Sequence, residues 1–290
     1  MQIYLPIADM PVDPTALLVM GAAVGFISGM FGVGGGFLMT PLLIFYGVPP
    51  AVAVGTETVH IVASSASGAM PHLRRQAIDY QMAAFLIGGG WVGAIVGVIV
   101  FRHFRATGQI DLFVSLAYVF LLLLIGALML LESIRAILRE PQRGAPRRRR
   151  RRTAWMAALA FPMRFRKSQL YISPLPPMAL GFFGGLLSAM LGVGSGFVLV
   201  PAMIYILQMP ANVVVGTSLF QMIFVTALST MLHATANQTV DIALAALLVA
   251  GGVIGAQAGV RVGARLKAEH LRGLLALIVL AVCARLALGL

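Results

Sequence analysis

Apolar residues run in blocks along this chain, and most polar residues fall between the blocks. Hydrophobic stretches occupy residues 15–46, 50–71, 82–101, 112–131, 178–207, 211–232, 242–260 and 271–290. Several reach the roughly 20 residues that carry an α-helix across a bilayer. The pattern predicts an all-α polytopic membrane protein. The first block is too long for one upright helix: residues 15–46 would extend about 48 Å, against a hydrocarbon core of about 30 Å. Inside it lies GMFGVGGGFLMTP, Gly29 to Pro41, whose glycines and proline are residues that helix interiors avoid.

That stretch has a second copy. GLLSAMLGVGSGFVLVP, Gly185 to Pro201, aligns with GFISGMFGVGGGFLMTP, Gly25 to Pro41, at an offset of 160, with 9 of 17 positions identical. Beyond the motif, Gly55 and Thr56 pair with Gly216 and Thr217, Met70 and His72 with Met231 and His233, and Gln76 and Asp79 with Gln238 and Asp241. Gly89, Gly90, Gly93 and Gly97 pair with Gly251, Gly252, Gly255 and Gly259. Pairing at this density predicts two copies of one unit.

Charge decides how each unit crosses. From Arg139 to Lys167 eleven basic residues face one acid, Glu140, and they include the run Arg147 to Arg152. Basic loops stay cytoplasmic. If each unit had four spans, the connection 261–272, with four basic residues and one acid, would lie outside. If the glycines break each long block, about 15–31 and 37–46 in the first copy, every unit has five segments and the second enters from the opposite side. Then 72–76, the arginine-rich centre and 261–272 all face the cytoplasm, the Lys/Arg-free stretch 234–241 faces out, and only Arg102 and Arg105 fall on the other side. The expected architecture is two inverted-topology repeats of about five helical segments each, with broken helices or re-entrant hairpins at the glycine-rich motifs. The boundaries are 1–14 for an extracytoplasmic N-terminal segment, 15–138 for the first repeat, 139–172 for the basic cytoplasmic loop and 173–290 for the second repeat, with both termini outside.

Composition agrees and narrows the classes. The chain has 290 residues, 60% hydrophobic and 10% charged, with a mean hydropathy of +0.95. The N-terminus carries Asp9 and Asp13 and no early Lys or Arg, so the basic region of a cleaved signal peptide is missing and the first block is expected to be mature structure. A single cysteine, Cys283, excludes an intrachain disulfide and a multi-cysteine metal site. The net charge of +12 is concentrated in one loop between two hydrophobic halves; it predicts topogenic function and contact with anionic lipid, and no nucleic acid.

Inverted repeats with helices interrupted at corresponding places point to a secondary transporter. Backbone that leaves helical geometry inside a membrane needs protein or a water-filled cavity to satisfy it. Glycine supplies the backbone angles and lets a ligand approach the main chain. New helices beginning near Phe37 and Phe197 would aim free N–H groups and positive dipole ends at a shared anion. The candidate substrate-binding residues are Gly34, Gly35, Gly36, Thr56, His60, Gly194, Ser195, Gly196, Thr217 and Gln221. Glu57 and His60, three residues apart with Thr56 and Ser64 on the same helix face, are the candidates for proton coupling, since an ionised Glu57 would repel an anion that a protonated one admits. The four-residue spacing of Gly89, Gly93 and Gly97, and of Gly251, Gly255 and Gly259, reads as helix packing. His72 and His233, at predicted segment ends, read as packing or capping residues. Arg102 and Arg105 read as interfacial anchors, and Arg74 and Arg75 as topogenic residues able to attract an anion. GVGGGF lacks the βαβ context of a dinucleotide fingerprint.

The twin motifs GMFGVGGGFLMTPLL and AMLGVGSGFVLVPAM, each followed by a Gly-Thr pair on the next helix, resemble the TauE/SafE sulfite-exporter family, also called the toluene-sulfonate uptake permease group. The resemblance implies a bacterial inner-membrane transporter of small sulfur-containing or carboxylate anions such as sulfite, sulfoacetate or other organosulfonates, moved with or against a proton; no enzyme activity, cofactor or metal is expected. It places the glycine turns near the substrate. A homodimer is open as the assembly. Ser195, Glu57 and the arginine-rich loop depart from a strict repeat. Two rivals differ in class: an intramembrane serine hydrolase using Ser195 with His233 or His60, and an anion channel built on the same helix breaks.

Overall fold

The computed structural model describes residues 3–138, 163–165, 167–263, 277 and 279–285. The first half begins with an antiparallel hairpin, β1 (Ile3–Leu5) and β2 (Met10–Val12). Five helices follow: α1 (Pro14–Phe31), α2 (Gly36–Phe45), α3 (Pro50–Arg74), α4 (Tyr80–Ala106) and α5 (Ile110–Leu138). The second half repeats the order with β3 (Met163–Phe165), β4 (Leu170–Ile172), α6 (Leu175–Leu191), α7 (Gly196–Tyr205), α8 (Ala211–Leu232), a π-helical turn at His233–Asn237 and α9 (Ile242–Gly263). Described residues between 279 and 285 are helical as well. The arginine run 147–152, most of the connection 261–272 and the last residues lie outside the described set.

The glycine motif interrupts the first block where the residue types require it. α1 ends at Phe31, Gly32 takes the left-handed conformation (φ 70°) and its N–H returns to the Ser28 carbonyl at 2.7 Å. The chain turns through Gly34 and Gly35, and α2 starts at Gly36. α6 ends in the same way at Gly192, with the corresponding bond to Ser188 at 2.8 Å. Pro41 and Pro201 are the sixth residues of α2 and α7, in the second turn, and those short helices continue through them.

Helix directions follow from glycine contacts. A Cβ built on Gly21, Gly25 and Gly29 would meet Leu248, Gly252 and Ala256 backbone in rising order, so α1 and α9 run parallel at close quarters. Gly89, Gly93 and Gly97 meet Met178, Phe182 and Leu186 in the same manner, so α4 and α6 are parallel. On Gly93 a Cβ would stand 2.0 Å from the Phe182 carbonyl oxygen; only a glycine lets the backbones approach so far. Along α3, Thr56 meets Asp241, His60 meets Gly252 and Gly68 meets Val260, again in parallel with α9. Against α8 the order reverses, Thr58 bonding Thr230 and Gly68 facing Leu219. α8 rises with α4, Thr217 bonding Asp79 and Val225 lying against Gly90. Thus α1, α3 and α9 run one way and α4, α6 and α8 the other. Because α1 and α3 share a direction, α2 is the return limb of a helical hairpin, about 15 Å long.

Five helical stretches are long and apolar enough to cross a membrane by length and composition: α1, α4, residues 110–127 of α5, 213–237 and α9. α3 has 25 residues but is too polar to qualify. It packs against α1, α2, α5, α6, α8 and α9, and Thr56, Glu57, Thr58, His60, Ser64 and Ser65 are all buried. Apolarity is demanded of a helix by lipid, not by neighbouring helices that offer hydrogen bonds.

The hairpins lie in segments that read as an N-terminal extension and as part of the basic loop, and they correspond at the same offset of 160 as the glycine motifs. Each is tied to the opposite half by a buried carboxylate. Asp241 Oδ2 accepts from the amides of Ile7 (2.9 Å) and Ala8 (3.4 Å), while Oδ1 accepts from Ala243 and Leu244 at the start of α9. Asp79 Oδ2 accepts from the amide (2.9 Å) and hydroxyl (2.5 Å) of Ser168, while Oδ1 caps α4 through Met82. An N-cap carboxylate is worth about 0.5–2 kcal/mol. α1 is capped by Asp13, whose carboxyl the Thr15 hydroxyl and amide hold below the usual carboxylate range.

Candidate functional site

The two glycine turns meet in the centre of the molecule. A Cβ on Gly36 would stand 2.1 Å from the Gly192 carbonyl oxygen. Phe37 and Phe197, one residue into α2 and α7, stack on each other with centroids 4.5 Å apart and planes 6° from parallel. The two rings come from equivalent positions of the two glycine motifs. Ile61 of α3 and Met222 of α8 are a second such pair: Ile61 abuts Gly194 and Met222 abuts Gly34. Tyr118 of α5 adds a bridge, its buried hydroxyl 2.7 Å from the Leu191 carbonyl and 3.2 Å from that of Gly36. It was not singled out from the sequence because a lone tyrosine in an apolar run carries no signal.

The departures from strict repetition occur side by side. In the first half Gly35 has φ 67°, and a Cβ there would sit 3.7 Å from His60 Cε1. In the second half position 195 has φ −60°, which any L-residue adopts, and Ser195 occupies it. Its hydroxyl accepts from Gln221 Nε2 at 2.5 Å, and Gln221 is the counterpart of His60. Glycine beside histidine in one half is therefore matched by serine beside glutamine in the other.

Glu57 and His60 form a buried pair with Oε1 2.8 Å from Nδ1, as their spacing on a helix predicts. Both side chains are fully enclosed. Glu57 Oε2 and His60 Nε2 have no hydrogen-bond partner among the described residues, and neither do Ser28 Oγ, Ser188 Oγ and Gln221 Oε1. Buried polar atoms left unmatched cost about 1–3 kcal/mol each, so the accumulation around the two turns is a concentrated polar demand. The Gly196 N–H meets the Met222 sulfur at 3.2 Å, a weak acceptor. The Gly36 N–H turns back to the Gly34 carbonyl at 2.7 Å.

Gly34, Gly35, Gly36 and His60 thus gather on one side of the meeting point, and Gly194, Ser195, Gly196 and Gln221 on the other. Thr56 and Thr217 are buried but engaged elsewhere: Thr56 accepts from the Asp241 amide at 2.9 Å and Thr217 from the Asp79 amide at 3.1 Å. Their hydroxyls join α3 and α8 to the backbone amides of the two aspartates whose carboxylates hold the hairpins. Ser195 has glutamine, not histidine, as its neighbour. His60 is held by Glu57, and His233 directs Nε2 to the Ala189 carbonyl at 2.8 Å and packs edge-on against Phe101. A serine–histidine pair is therefore not formed. No group of three or more His, Cys, Asp or Glu able to hold a metal ion occurs among the described residues.

Comparison with known proteins places these features in a lineage. The family described as Sulfite exporter TauE/SafE matches residues 17–286. A protein named probable membrane transporter protein YjnA, from Bacillus subtilis, is 29% identical over 268 residues, 91% of this chain and 96% of its own. A probable membrane transporter protein from Xylella fastidiosa is 28% identical over 270 residues, 90% of each chain. Sulfite exporter TauE/SafE family protein 3 of Arabidopsis thaliana is 33% identical over a shorter stretch of 95 residues, 32% of this chain and 20% of its own. No solved structure matches. With the family match spanning both glycine motifs and nearly the whole helical bundle, this multi-pass membrane protein belongs to the TauE/SafE sulfite exporter family.

Proposed function

We propose that the protein is a secondary transporter that carries a small sulfur-containing or carboxylate anion across the bacterial inner membrane, coupled to protons and working by alternating access. The observation that carries this reading is the meeting of two glycine turns beside a fully buried Glu57–His60 pair with one unmatched polar atom on each partner. An anion seated between the starts of α2 and α7 would receive backbone N–H groups and two positive dipole ends. Ser195 and Gln221 would donate from one side and the protonated Glu57–His60 pair from the other. Loss of that proton returns a negative charge to the pair, which favours release of the anion: the two species therefore move together or not at all. The substrate-binding residues assigned are Gly34–Gly36, His60, Gly194–Gly196 and Gln221, with Thr56 and Thr217 holding the helices that present them.

The orientation that follows from loop charge puts the start of α1, the start of α3 and residues 234–241 outside, and the end of α3 with the arginine-rich loop in the cytoplasm. The loop itself serves topology and anionic lipid. Both turns are sealed by Ile61, Met222 and the stacked phenylalanines, so access from either side requires the two halves to shift about the Phe37–Phe197 contact.

The test is a thermal-shift panel on the purified protein with sulfite, organosulfonates, sulfate and carboxylates at two pH values. A ligand that binds only the native state raises its stability by mass action. One anion class is expected to stabilise the native protein more at the lower pH, and Ser195→Ala to weaken that shift. Equal shifts for all anions in both proteins would remove the turns from the site.

A further inference from the structure

At the end of the bundle where α3 and α9 both terminate, a cavity of about 510 Å³ opens between the two helices. Three guanidinium groups line it: Arg74 and Arg75 from the end of α3 and Arg261 from the end of α9. Ser67, Met70 and Gln257 also line it. Ser67 donates its hydroxyl proton to the Val253 carbonyl at 3.2 Å and so joins α3 to α9 beside the cavity. No carboxylate pairs with any of the three arginines among the described residues. Basic residues at one helix end are accounted for by the helix dipole. The positive-inside rule accounts for cations on this side of the bundle, but not for three from two helices of different halves converging on one cavity beside the Gln257 amide.

The seam between α3 and α9 continues inward from this cavity. Ser67 is seven residues, about 10 Å of helix, from His60. His60 Nε2, the unmatched ring nitrogen, lies against Gly252 of α9, 2.1 Å from where a Cβ would stand. The arginine cavity and the Glu57–His60 pair are thus successive stations on one interhelical seam.

We propose that this cavity is a second anion site, a vestibule that captures a soluble oxyanion of the sulfate, sulfonate or carboxylate class on the same seam as the Glu57–His60 pair. Its charge concentrates anions at the mouth, and the Gln257 amide supplies a neutral donor to one that has entered. The inference rests on the transport reading for its purpose, but its binding chemistry stands apart from that reading.

The experiment uses the full chain with the buried native thiol removed by Cys283→Ser and a reporter placed by Met70→Cys, since Met70 is 55% exposed and lines the cavity. The reporter thiol is modified with anionic and cationic methanethiosulfonate reagents in neutral detergent. One unit charge about 7 Å away in water changes the rate of a singly charged reagent about threefold, less in salt. The anionic reagent is expected to react faster than the cationic one after correction against a free thiol. Arg74→Ala, Arg75→Ala and Arg261→Ala are each expected to lower the ratio several-fold, and millimolar sulfate to protect the thiol only while the arginines remain. A ratio equal to that of the free thiol, or no protection by sulfate, overturns the proposal. Protection seen only in nanodiscs containing phosphatidylglycerol, and never with sulfate, overturns it as well and assigns the cavity to a lipid headgroup. If sulfate protects the reporter but the anion panel at the central turns is featureless, the vestibule stands and the transport reading falls.

Discussion

Gly252 offers a sharp test of the central geometry because it belongs to a different helix from the residues it would disturb. A Cβ there would lie 2.1 Å from His60 Nε2 and 2.4 Å from Cδ2, with the next nearest atom His60 Cε1 at 3.4 Å. Gly252→Ala therefore collides with the imidazole and with nothing else closer than ordinary contact. The ring has to move by more than 1 Å, and it is anchored by the 2.8 Å bond to Glu57. Breaking a hydrogen bond to a charged group costs about 1.5–3 kcal/mol, and forcing the side chain off its rotamer about 0.5–1.5 kcal/mol. Against this, alanine gains about 1 kcal/mol over glycine in a helix interior. The net expectation is a loss of about 1–3 kcal/mol in the otherwise native protein. With His60→Ala already present, all three nearest atoms are gone and Gly252→Ala should become neutral or stabilising by about 1 kcal/mol. The assay is a double-mutant cycle on unfolding in mixed micelles, followed by circular dichroism. A coupling energy of about 2–4 kcal/mol is expected, since contacting residues do not add. Additive costs, with Gly252→Ala equally harmful in both backgrounds, would refute the placement of the His60 ring between α3 and α9.

Three further outcomes follow from the same arrangement. Glu57→Gln keeps an acceptor for His60 but removes the charge, so substrate flux in proteoliposomes should persist while losing its response to an imposed pH gradient; an unchanged response would place coupling elsewhere. Asp79→Asn and Asp241→Asn each remove a carboxylate that caps a helix and holds the opposite hairpin, so each should lower unfolding stability by about 1–3 kcal/mol. Because their settings correspond, a loss confined to one of the two would contradict the equivalence of the halves. Deleting Arg147 to Arg152 should leave transport close to normal, as read by uptake into oriented vesicles; an altered substrate preference would assign the loop a role beyond topology and lipid contact.

What could be read from the sequence was governed by local rules. Helix limits at the breaks followed from residue type: 15–31 and 37–46 were expected, and Pro14–Phe31 and Gly36–Phe45 are found. The Glu57–His60 contact followed from helical spacing, and the backbone-to-backbone packing of Gly89, Gly93 and Gly97 from their four-residue period. The hairpins were missed because three-residue strands have too little pattern to register, and their main support comes from carboxylates more than 80 positions away.

The sequence by itself determined that two similar apolar units exist, where each is broken and which helix carries the buried ionisable pair. Those properties reside in residue type and period, which act over a few turns of chain. Only the tertiary structure decided that α2 folds back beside α1, that Phe37 stacks on Phe197, and that His60 is wedged against Gly252 while Thr56 and Thr217 are drawn off to Asp241 and Asp79. It also decided that Arg261 joins Arg74 and Arg75 around one cavity. These depend on how helices distant in sequence approach one another, and that is set by packing between halves, which no local rule encodes.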